Sequence, residues 1–186
     1  MLWNTANLLT MARIIVIPPI ILFLAMGGEA WLWTAFALYL VACVTDYFDG
    51  YVARAMNQVS ALGRFLDPIA DKLLVAAILL MLTASGRLAG WDVLAGLIIL
   101  LREITVSGLR EFLAEIRVGV PVSRLAKWKT TIQMLSLGFL IVGDAGPAFL
   151  PTPEIGTVLL WAAAALTLVT GFDYLRAGLK HLVQHD

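Results

Sequence analysis

Between residues 46 and 71 the chain reads DYFDGYVARAMNQVSALGRFLDPIAD, which sets Asp46, Asp49, Asp67 and Asp71 beside otherwise apolar segments. Bare carboxylates near hydrocarbon cost several kcal/mol each, so four in one short stretch need a partner that offsets their desolvation. A divalent cation is such a partner. Asp46 and Asp49 are three residues apart and Asp67 and Asp71 four apart, so on helices each pair shares a face. Two helices joined by a turn would bring the pairs together. The donors are all hard oxygens, and no Cys or His lies nearby except Cys43, which favours magnesium, manganese or calcium over zinc. Two metals about 3.5–4 Å apart, clamping a phosphoryl group, is the chemistry such a cluster commonly serves.

The small residues agree with that reading. Gly50, Ala53 and Gly63 leave room for close approach of a neighbour or ligand, and Arg54 can offer a planar fork to phosphate. A solvated loop would not need two helix-phased acid pairs. A second polar group lies in LREITVSGLREFLAEI and SRLAKWKTTIQM. Arg102 and Arg110, eight residues apart, are separated by about 80° around a helix and can line one broad face. Glu103 and Arg110, seven apart, nearly eclipse and are placed to pair. Lys127 and Lys129 point to nearly opposite sides, and Lys129 is favoured for the interior because Gln133 continues its face. Arg102, Arg110 and Lys129 would make a basic pocket for the phosphate of an anionic acceptor. Arg117, Arg124 and Lys127 read better as a positive fringe on acidic lipid headgroups.

These residues need elements to position them, and composition says of what kind. With 61% hydrophobic residues, 14% charged residues and a mean hydropathy of +0.90, the 186-residue chain is too apolar for an ordinary soluble domain. It belongs in a bilayer. No dense basic stripe with interleaved aromatics stands outside the apolar segments, so nucleic acid is not an expected partner. The single Cys43 excludes an intrachain disulfide and suits apolar packing. Without repeats or a linker, residues 1–186 read as one domain.

The pattern predicts an all-α, polytopic membrane protein: a short N-terminal interfacial helix over residues 1–10, then six transmembrane helices. The spans fall at about 8–26, 31–57, 63–83, 91–116, 122–142 and 154–179, with a turn at 58–62. Pro18 lies inside the first span, tolerated or kinking it. Both termini then share a side. On this layout Arg87 alone lies outside while the other basic residues lie at or toward the opposite face, which makes that face cytoplasmic. The six tryptophans fall near span ends, as an interfacial belt does. His181 and His185 lie in a polar tail and read as solvated.

The aspartate block resembles, position for position, the signature DxxDGxxARx8GxxxDxxxD of the CDP-alcohol phosphotransferase family. Asp46, Asp49, Gly50, Ala53, Arg54, Gly63, Asp67 and Asp71 fill its specified places. NLLTMARIIVIPP, LREITVSGLREFLAE and KWKTTIQM are similar to the bacterial branch whose acceptor is sn-glycerol 3-phosphate. The likeness covers the first five helices, and the sixth is generic.

The resemblance implies a bacterial inner-membrane enzyme, active site toward the cytoplasm, that transfers phosphatidyl from CDP-diacylglycerol to glycerol 3-phosphate and releases CMP. It implies two Mg2+ or Mn2+ ions on Asp46, Asp49, Asp67 and Asp71, with Asp71 also the general base. It further implies a CDP-lipid site on Asp49, Gly50, Ala53, Arg54, Ser60 and Gly63, direct attack without a phosphatidyl-enzyme intermediate, and a homodimer. Synthesis of phosphatidylserine, phosphatidylinositol phosphate or cardiolipin by the same chemistry is the nearer alternative. A divalent-cation transporter is the alternative from another class, but it would carry polar groups through the outer halves of the spans, which are nearly all apolar.

Overall fold

Glycine sets two of the helix ends, whereas Pro18, Pro19 and Pro68 lie inside helices. Gly27 and Gly28 take φ of +65° and +81°, a left-handed conformation that side chains resist, and they end the first helix. Gly86, at +73°, does the same after the third. The computed structural model describes residues 5–55, 61–116 and 124–182. Its regular elements there are α1 (Thr5–Met26), α2 (Glu29–Ala55), α3 (Ala61–Ala84), α4 (Asp92–Glu115), α5 (Arg124–Val142), a 3-10 turn (Gly143–Ala145) and α6 (Thr152–Leu182). The all-α expectation holds, with every expected span found as a helix.

Two expectations change. The separate interfacial helix is absent among the described residues: nothing between Thr5 and Ala12 breaks a helix, so these residues run straight into α1. Residues 1–4 lie outside the described part. The expected turn at 58–62 overlaps α3, because Ala61 and Leu62 already belong to that helix, while 58–60 lie outside the described residues.

The helices form a ring in the order α1, α2, α5, α6, α4, α3, with a lesser contact between α3 and α5 across it. Its core is aliphatic, with Ile20, Leu24, Ile78, Leu82, Ile99, Leu137 and Leu160 almost fully buried. The outside is apolar too: Ile15, Leu80, Val158 and Phe172 are all exposed. Polar groups lie inside instead, among them Thr10, Arg13, Lys129, Ser136, Thr167 and Thr170. A surface this apolar, with polar groups set into the core, is unlike that of a soluble protein.

Among the described residues, one helix is long and apolar enough to cross a membrane, the 152–176 stretch of α6, while 10–26 is apolar but shorter. Charge shortens the apolar stretch of α4. In α4 the uninterrupted apolar stretch covers only residues 93–101 before Arg102 and Glu103 interrupt it.

α5 and α6 approach closely because Gly156 has no side chain. A Cβ there would lie 2.8 Å from Leu140 Cγ and 3.1 Å from its backbone nitrogen. Ser136 donates to the Gly156 carbonyl at 2.7 Å, holding the same crossing. Gly156→Val is expected to cost about 1–3 kcal/mol by overpacking, read as a Tm several degrees lower in detergent.

Candidate active site

The acids on α2 and α3 lie at the end of the ring opposite the Arg87 loop, and there a polar cleft of about 430 Å³ opens. Asp46 of α2, Asp71 and Lys72 of α3, and Arg102, Glu103 and Arg110 of α4 line it. Two of the four signature aspartates thus face one space. Asp46 is fixed from behind by Arg13 of α1, whose Nη1 lies 2.6 Å from Asp46 Oδ1. The Arg13 side chain is only 2% exposed and that of Asp46 41%, so the pair joins a buried cation to a carboxylate that still reaches the cleft. A cation so deeply buried requires an anionic or strongly accepting partner. Lys72 donates to the Pro68 carbonyl at 2.6 Å, which folds its stem back along α3.

Asp49, Gly50, Ala53 and Arg54 lie on the last turns of α2 and Asp67 on the first turns of α3, but their side chains lie outside the described part. Ser60 also falls outside the described residues. Gly63 is buried on the first turn of α3. Among the described residues no group of three or more metal-binding side chains occurs. The described pair, two carboxylates from different helices on one cleft, has the hard-oxygen chemistry that suits magnesium or manganese.

The basic wall differs from its expected form. Glu103 does not pair with Arg110, its neighbour along the helix. It takes the Lys129 ammonium of α5 in an ion pair and lies 3.5 Å from Arg102 Nη1. Partners on another helix win because Lys129 is buried and needs a counter-charge, whereas Arg110 is exposed to water. Lys129 faces inward with Gln133, and Lys127 is exposed. Lys129 does not itself line the cleft; it reaches it through Glu103. Arg102 also donates from Nη2 to Thr170 Oγ1 of α6 at 3.1 Å.

A family model described as CDP-alcohol phosphatidyltransferase matches residues 3–169. The chain belongs to the CDP-alcohol phosphatidyltransferase family. It is 47% identical over 174 residues, 94% of this chain and 96% of the relative, to the CDP-diacylglycerol--glycerol-3-phosphate 3-phosphatidyltransferase of Rickettsia typhi. To the protein of the same name from Cereibacter sphaeroides it is 36% identical, covering 97% of each chain. A probable phosphatidylglycerophosphate synthase of Mycobacterium tuberculosis is 38% identical over 96% of this chain and 83% of its own.

The family signature accounts for the acids but not for their supports. Arg13 carried a readable signal, a lone cation inside an apolar helix, although its partner on α2 did not. Thr170 and Tyr174 carried none, since both are ordinary residues of a membrane helix.

A buried triad of one acid and two cations responds unequally to loss of its members. Glu103→Gln strands Lys129 and is expected to cost about 3 kcal/mol, while Lys129→Met leaves Glu103 beside Arg102 and costs less. The double variant should lose less than the two single losses added, measured by thermal unfolding of the detergent-solubilised protein.

Proposed function

We propose that this chain transfers the phosphatidyl group from CDP-diacylglycerol to sn-glycerol 3-phosphate, giving phosphatidylglycerophosphate and CMP. The relatives' names supply the two substrates. The observation that carries the reading is the cleft itself, which joins the first and last aspartates of the signature to Arg102 and Arg110. An anionic acceptor with a reactive hydroxyl requires both halves.

An acceptor hydroxyl oxygen attacks the phosphorus that bears diacylglycerol, the bond from that phosphorus to the bridging oxygen breaks, and CMP leaves with the electron pair. Asp71 takes the hydroxyl proton as general base. Arg102 and Arg110 hold the acceptor phosphate, Arg110 at the exposed mouth and Arg102 further in, with Lys129 acting behind Glu103. Gly50, Ala53, Arg54, Ser60 and Gly63 shape the CDP-lipid site together with Asp49. Two Mg2+ or Mn2+ ions, held by Asp46, Asp49, Asp67 and Asp71, would neutralise the pyrophosphate and the departing CMP.

A second, almost wholly apolar groove of about 370 Å³ runs between α2 and α5, from Trp33 and Leu150 to Cys43, one turn before Asp46. It gives an acyl chain a path toward the acids from the bilayer. The apolar outer surface and the charged residues gathered toward one end support six spans in the cytoplasmic membrane of a bacterium, the cleft and both termini facing the cytoplasm. The functional unit is a homodimer.

Asp71→Asn should lower CMP release by about 10²–10⁴-fold while CDP-lipid binding persists; full turnover would remove Asp71 as the base. Chelation should stop CMP release and added magnesium or manganese restore it. Arg110→Ala should raise KM for glycerol 3-phosphate roughly tenfold and leave that for CDP-lipid nearly unchanged, and equal effects on both substrates would defeat the acceptor assignment.

A further inference from the structure

We propose that Thr170, Gly171 and Tyr174 of α6 are positioning residues that aim the Arg102 guanidinium at the acceptor phosphate, an inference that rests on Arg102 binding that phosphate. The three share one face of α6, at spacing i, i+1 and i+4, and α6 packs against α4 where Arg102 projects.

Each restricts a different freedom of the same side chain. The Thr170 hydroxyl donates back to the Leu166 carbonyl at 2.8 Å, so its proton is committed and a lone pair faces Arg102 Nη2 at 3.1 Å. That bond fixes rotation in the guanidinium plane. Tyr174 is buried and its ring lies 5.9 Å from Arg102 Cζ, which sets the plane itself. Gly171 fixes the stem: a Cβ there would lie 2.9 Å from Arg102 Cγ and 3.4 Å from Nε, so the aliphatic portion lies flush on the α6 backbone. Even the Cβ of alanine would force the stem to shift.

Charge accounting agrees with an anion-binding role. Glu103 is held by Lys129 and lies 3.5 Å from Arg102 Nη1, a long contact, while the Thr170 hydroxyl that Arg102 meets is neutral. Arg102 therefore keeps positive charge for the cleft. A free arginine side chain loses much rotamer freedom on binding phosphate; one already fixed loses little, so the cradle acts on acceptor affinity rather than on the chemical step.

Initial rates of CMP release by the full chain in detergent and lipid mixed micelles, with each substrate varied in turn, test this. Thr170→Val, Gly171→Ala and Tyr174→Leu should each raise KM for glycerol 3-phosphate roughly tenfold, with kcat and KM for CDP-diacylglycerol within about twofold. Thr170→Ser and Tyr174→Phe should restore the acceptor KM. Phe172→Leu, on the exposed face of the same helix, should change neither constant. Adding Gly171→Ala to Arg102→Ala should do no further harm. If Arg102→Ala raises the acceptor KM while the α6 variants do not, or if those variants weaken both substrates alike with a lowered Tm, the residues merely pack and the proposal is overturned. If Arg102→Ala leaves the acceptor KM unchanged, the reading of Arg102 falls first, and the cradle with it.

Discussion

A charge placed among apolar helices has to be met by a group on a different helix, and the architecture follows from satisfying that demand three times. Arg13 of α1 meets Asp46 of α2, Lys129 of α5 meets Glu103 of α4, and Thr170 of α6 meets Arg102 of α4. The helices that line the cleft are α2, α3 and α4, and those that supply the supports are α1, α5 and α6. The first and last helices of the chain thus hold a site they do not touch. Separating any pair would leave a buried charge or donor stranded at a cost of several kcal/mol, so the site and the ring reinforce one another.

What the sequence made legible follows the same division. Helix ends were readable because glycine acts locally: the breaks at Gly27, Gly28 and Gly86 need no tertiary information. The sidedness of Lys129 was readable as well, because Gln133 on its own helix shares its face. Pairings between helices were not, since they depend on how two cylinders are rotated and how far one slides along the other. Glu103 shows the difference. Spacing offered Arg110 on the same helix, and the structure chose Lys129, 26 residues away, because burial of that ammonium decided the matter. Arg13 falls between the cases: a lone cation inside an apolar helix signals that a partner is needed, but not that Asp46 supplies it. α6 was the least readable, since threonine, glycine and tyrosine become informative only when Arg102 is seen resting against them.

The two cavities share a wall, and that wall orders the proposed reaction. Along α2, Tyr39 and Cys43 face the apolar groove, and Asp46, three residues and about 4.5 Å further on, faces the polar cleft. An amphiphile whose tail follows the groove has its headgroup delivered to the acids by the rise of the helix alone. In the proposed reaction the acceptor, soluble and anionic, would meet the cleft from the α4 side, where Arg110 is exposed. On the proposed reading, lipid and acceptor would therefore approach along different helices, α2 and α4, rather than through a common entrance. Separate approach permits both to be present when the bond to phosphorus is exchanged, which direct displacement requires and a phosphatidyl-enzyme relay would not. The arrangement of helices that pairs the buried charges would then, in the proposed reaction, also set the attacking and leaving oxygens across one phosphorus.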